Sequence, residues 1–167
     1  MDKLNDFDKE IRDLILEKGI NDNFQIEPPD KVYELISQRY PFYGTKIHFS
    51  QLDGNLHKKA GQDLVSDVKK FIGEVAEVNK INMETPVIYV GDDLTENCYK
   101  TTLENIMQIL PLILTFPQHH YIIPNNADWC LFVSFEDDLK FGFAKFNVGE
   151  KPSGADTGLD VSQFFNS

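Results

Sequence analysis

A chain of 167 residues, 41% apolar and 26% charged, carries enough hydrophobic material to build one core and too much to remain disordered. Its 27 carboxylates outnumber 16 Lys and Arg, for a formal net charge of −11. That sign argues against nucleic acid and against anionic membrane as ligands, because both demand clustered cations.

Cys98 and Cys130 are too few for a disulfide scaffold and are not spaced as C-x-x-C, which fits a reducing compartment. The N-terminal segment alternates charged with apolar residues and lacks the basic start and apolar run of a signal peptide. No stretch approaches the roughly 18 apolar residues that span a bilayer. A cytoplasmic location is therefore expected.

In chain order, Leu4, Phe7, Ile11, Leu14 and Ile15 recur at three- and four-residue steps, so residues 4–18 read as a surface helix ended by Gly19. Asp30 reads as the cap of a second short helix carrying Val32, Tyr33, Leu35 and Ile36, which must stop before Pro41. Alternating aromatic and β-branched residues predict a strand over 45–50, with Asp53 and Gly54 turning the chain. A third helix is expected from Leu56, burying Ala60, Leu64, Val68, Phe71, Ile72 and Val75.

The run 87–90, VIYV, predicts a strand buried on both faces and stopped by Gly91, Asp92 and Asp93. A fourth helix is expected to start near Thr95, to bury Leu103, Ile106, Met107 and Leu110, and to be broken by Pro111 and Pro117. Strands over 121–123, 129–135 and 140–146 follow. Glu136, Asp137 and Asp138 form the hairpin turn between the last two, without the Gly that a tight turn favours.

Residues 147–167 have loop-like composition, although Phe164 and Phe165 could return to the body. The expectation is a single domain over 1–167 of the α+β class. N-terminal helices pack on one side of a mostly antiparallel sheet, and a C-terminal β-meander completes it. A doubly wound parallel sheet is the alternative; it needs 87–90 at its centre and a strand–helix alternation that the C-terminal third lacks.

No catalytic set, metal site or cofactor motif is recognisable. His119 and His120 are neighbours on a strand, so their side chains point to opposite faces and cannot easily share one ion. Cys130 lies in an apolar strand, the usual setting of an inert thiol. Cys98, placed in the first turn of the fourth helix, is the better reactive-thiol candidate, since a helix N-terminus lowers a thiol pKa. These residues carry the alternative reading of a small hydrolase or metalloenzyme; a structural or adaptor domain is a further alternative.

Two acidic clusters remain, Asp92, Asp93 and Glu96 and then Glu136, Asp137 and Asp138. If both turns share one rim of the sheet, with Tyr99 or Trp129 beside them as an aromatic anchor, they form a docking patch for a basic protein.

The stretch from Pro86 to Phe143, with a strand ending in YIIP, an aromatic DWCL strand and an acidic turn before FGF, resembles the small acidic immunity proteins that bacteria encode beside polymorphic or contact-dependent toxins. That resemblance implies a non-enzymatic protein that binds one cognate toxin, often a basic nuclease, and blocks it.

Overall fold

The computed structural model describes residues 4–147 and 149; the readings of the tail, including the return of Phe164 and Phe165, lie outside the described residues. Helix α1 (Asp6–Glu17) begins at Asn5, whose side chain accepts the Asp8 N–H, and buries Ile11 and Ile15. It ends where Gly19 takes φ +69°, the left-handed conformation that glycine adopts without a steric penalty. Strand β1 (Gln25–Glu27) follows.

Helix α2 (Asp30–Arg39) has Pro29 at its N-cap, so Asp30 is the first helical residue rather than the cap expected of it. Its last residue, Arg39, is buried and donates from Nε to the Phe146 carbonyl and from its guanidinium to the Asn126 carbonyl and the Asp128 carboxylate. Tyr40 donates its hydroxyl to the Ala127 carbonyl at 2.8 Å.

Three expectations of the sequence require correction. Residues 45–50 are not one strand: β2 (Phe42–Tyr43) and β3 (Lys46–Ile47) make a small hairpin, and a 3-10 turn spans Phe49–Gln51. Ile47 and Phe49 are both buried, so the apolar alternation is real, but it comes from a strand passing into a turn.

The third helix, α3 (Leu64–Asn79), starts at Leu64 and not at Leu56. Residues Leu56–Lys59 form strand β4, held extended by pairing with a C-terminal strand. Asp63 caps α3 by accepting the Ser66 N–H at 3.1 Å.

The fourth helix, α4 (Leu103–Ile113), starts after Thr102, whose side chain accepts the Asn105 N–H, and not at Thr95. The intervening Cys98–Thr102 is strand β6, which pairs on both sides. Pro111 sits in the last turn of α4 without ending it; only one helical hydrogen bond is forfeited there. In both helices long-range strand pairing overrides a local helical pattern.

Strand β5 (Pro86–Gly91) and the meander β7 (His120–Pro124), β8 (Trp129–Val133) and β9 (Asp138–Phe143) complete one seven-stranded sheet in the order β1-β6-β5-β7-β8-β9-β4. Every pairing is antiparallel, which gives an α+β fold. Helices α1, α3 and α4 pack on one face, against Val87 and Tyr89 of β5 and Leu131 and Val133 of β8. The second face is also covered: Val32 and Ile36 from α2, with Tyr40 just beyond it and Ile47, Phe49 and Leu52, lie over Ile88, Val90, Tyr121 and Phe132. Burial of the central strands on both sides is why 87–90 reads as a continuous apolar run.

The turn from β8 to β9 places Asp137 at φ +69°, the position a glycine usually takes after a type I turn. Ser134 compensates, its hydroxyl accepting the N–H groups of Glu136 and Asp138. The exposed edge strand β4 carries Lys58 and Lys59, which pair with Glu74 and Asp138; charged side chains on an edge oppose further strand addition. Among the described residues no helix is long and apolar enough to cross a membrane.

Candidate functional site

Strand register brings the two acidic turns to one rim. Gly91 at the end of β5 lies opposite His120, His120 opposite Val133, and Val133 opposite Leu139. The loop after β5, carrying Asp92, Asp93 and Glu96, and the turn between β8 and β9 therefore flank the start of β7. His119 joins them. Its backbone N–H donates to Asp92 Oδ1 at 2.9 Å, and its Nδ1 accepts the Phe135 N–H at 3.3 Å.

Beneath the rim lies a buried polar hub. Gln118 Oε1 accepts the N–H groups of Asp93, Leu94 and Thr95, at 3.2, 2.7 and 3.3 Å. Its Nε2 donates to the hydroxyls of Tyr89 and Thr95. The Tyr89 hydroxyl, which accepts from Gln118, also lies in hydrogen-bond contact with His120 Nδ1 at 2.7 Å, and the His120 ring makes a further hydrogen bond to the Phe116 backbone. Gly91 is required here, because a Cβ at that position would lie 2.1 Å from Gln118 Nε2.

Helix α1 braces the same loop from the other side. The buried Asp8 carboxylate accepts the Glu96 N–H at 2.8 Å and the Tyr99 hydroxyl, and Asn5 Nδ2 donates to the Leu94 carbonyl at 2.7 Å.

Held in this way, Asp92, Asp93, Thr95 and Glu96 face Asp30 and Tyr33 of α2 across a cleft of about 390 Å³. Burial, reinforced by the neighbouring Asp93 charge and opposed by the His119 N–H and by Lys46, raises the Asp92 carboxyl to about 6. In the unfolded chain it titrates near its ordinary 3.8, so between these values the folded protein binds the extra proton. This group's contribution to stability thus falls as pH rises from about 4 to about 6. The Asp92→Asn variant keeps an oxygen for the His119 N–H and should be more stable than the parent at pH 7 by about 1 kcal/mol, discounted for partial exposure. The gain should vanish at pH 4, as urea titrations at the two pH values would read.

The second cluster is partly neutralised. Asp138 bonds His57 Nε2 at 3.1 Å and lies 3.6 Å from Lys59 Nζ, and the His57 bond holds its carboxyl below the usual range. Lys59 also donates to the Glu136 carbonyl. Among the described residues no ion pair reaches Asp30, Asp92, Asp93 or Glu96, and Lys46 acts on Asp92 only from beyond 4 Å.

Neither expected aromatic anchor is available. Tyr99 is fully buried with its hydroxyl on Asp8. Trp129 is buried and pairs with Phe143 at the opposite end of β8 from the acidic rim. The exposed aromatic on this rim is Phe135, 60% accessible at the turn and packed against the His119 ring at 5.7 Å. Read as the last residue of a strand, it carried no sequence signal for this position.

Of the residues considered for chemistry, Cys98 is placed differently from expectation, whereas Cys130 and the two histidines are placed as expected. Cys98 is buried in β6 and not at a helix N-terminus; burial, followed by the charge of Glu27, pushes its thiol up to about 12. Cys130 is buried in β8, and burial raises its thiol as well. His119 and His120 do point to opposite faces, His119 onto Phe132 and His120 onto Tyr89. Burial lowers both imidazoles, His120 to about 3. Among the described residues no group of three His, Cys, Asp or Glu side chains is placed to hold a metal ion. No family model matches the chain, and no curated protein matches it.

Proposed function

We propose that this chain is a non-enzymatic binding protein of the immunity type, which neutralises a basic protein toxin through the rim formed by Asp30, Asp92, Asp93 and Glu96 with Phe135 beside them. The observation that carries the reading is the convergence of two sequence-distant acidic turns on one sheet rim, next to an exposed aromatic ring. Carboxylates around a cleft accelerate encounter with a cationic surface, and an exposed aromatic supplies the apolar contact that holds it. Burial of both thiols and of His120, with His119 half-buried against Phe132 and Phe135, disfavours the hydrolase reading.

The test is association with the product of the gene adjacent to this chain's own, the expected place of a cognate basic toxin. The variant Asp30→Asn, Asp92→Asn, Asp93→Asn, Glu96→Gln should associate about 10- to 100-fold more slowly at low salt. Parent and variant rates should converge between about 50 and 500 mM salt as screening sets in. Phe135→Ser should instead speed dissociation. Association indifferent both to salt and to the four substitutions would sink the proposal.

A further inference from the structure

On the second face of the sheet, away from the acidic cleft, the β2–β3 hairpin and the adjoining 3-10 turn enclose a pocket of about 270 Å³ against β9. Its chemistry is opposite in sign to the rest of the molecule. Lys46 from the hairpin and Lys140 from β9 line it together with the Ser50 hydroxyl, and no carboxylate lines it. Among the described residues neither lysine lies within 4 Å of a carboxylate, whereas Lys58, Lys59 and Lys100 are each ion-paired. The charges that reach these two lysines are more distant: Asp92 and His119 for Lys46, Asp138 for Lys140.

The remaining walls are flat and apolar. Tyr43 is 78% exposed and its ring lies 5.6 Å from that of His48, at an interplanar angle of 54°. Buried Ile47 and Phe49 complete the apolar part of the lining. Two cations and a hydroxyl can hold an anionic head, while tilted rings over an aliphatic floor can hold a planar body. The volume lies just below the roughly 300–1,000 Å³ of ordinary small-molecule sites, which limits the occupant to a single ring with its acidic group.

We propose that this hairpin pocket is a binding site for a small aromatic anion, a single ring bearing a phosphate or carboxylate, packed against the Tyr43–His48 pair with its charge on Lys46 and Lys140. The proposal does not depend on the proposed toxin-binding function, although Lys46 and Asp92 of the acidic rim feel each other's charge.

Titration of the isotopically labelled full chain with phenyl phosphate, followed by amide NMR, tests the assignment. Saturable shifts at Lys46, Ile47, His48, Ser50 and Lys140 are expected, with a Kd of about 1 mM or tighter. Inorganic phosphate and phenol at matched ionic strength should each bind about tenfold more weakly, because each supplies half of the recognition. The Lys46→Glu, Lys140→Glu variant should weaken phenyl phosphate about tenfold or more. Tyr43→Ala, at an exposed position, should weaken it without affecting folding. Linear, unsaturable shifts, equal binding of inorganic phosphate, or full affinity in the double lysine variant would each overturn the proposal.

Discussion

Replacing Gln118 with Leu is expected to cost about 3 kcal/mol of folding stability, among the largest single-residue losses in this protein. Leu fills a similar volume but withdraws the acceptor shared by the N–H groups of Asp93, Leu94 and Thr95, and the donor to Tyr89 and Thr95. Leaving a buried polar group without a partner costs more than forming the bond contributes, so the loss follows from what the neighbours lack. In thermal unfolding the midpoint should fall by roughly 6–12 °C, the scale for a chain of this length.

Hydrogen exchange at residues 93–95 should accelerate in the same variant, because the loop would lose its anchor even where the sheet holds. Gly91→Ala should show the same signature, since its Cβ would displace Gln118. Combining the two should cost less than the sum, the two changes damaging one network. A Gln118→Leu loss below about 1 kcal/mol would mean that water satisfies these groups and that the hub is not structural.

The second large effect is at Asp8. Asp8→Ala should destabilise the fold by about 3 kcal/mol, because the Glu96 N–H and the buried Tyr99 hydroxyl lose their acceptor together. Asp8→Asn keeps one oxygen and should cost about half as much. Both variants should slow association with the proposed partner more than their stability loss alone explains, since Asp8 sets the position of the loop that carries Glu96. Urea unfolding supplies the stability term and stopped-flow association the other; a rate unchanged in a fully folded Asp8→Asn sample would separate the brace from the binding face.

What could be read from the sequence divides along a physical line. Amphipathic helices with local caps, such as α1, and a strand buried on both faces, such as 87–90, announce themselves through periodicity and apolar runs. The antiparallel meander was legible for the same reason.

The segments read as helix at Leu56 and Thr95 are strands or loops because their partners lie far along the chain: Leu56 faces Phe141, and Tyr99 faces both Ile26 and Tyr89. Local propensity holds no information about such pairings. The acidic residues of the site were visible as charge. Their compensation was not, since Lys59 and His57 reach Asp138 only through β4. Tyr99 and Trp129 are aromatic residues consumed by the core, and nothing in a single sequence distinguishes a buried ring from one presented to a partner. Gln118, the residue most responsible for shaping the loop, reads as an unremarkable polar position.

The sheet order has a consequence for how the chain is made. Strands β1 and β4, contributed early in synthesis, occupy opposite outer edges, and the strands they need, β6 and β9, leave the ribosome much later. A nascent chain halted before residue 138 holds β4 without its partner strand and must keep it exposed until β9 has emerged. Such late closure slows folding and invites chaperone holding. Lys58 and Lys59 then protect a waiting strand as well as a finished edge.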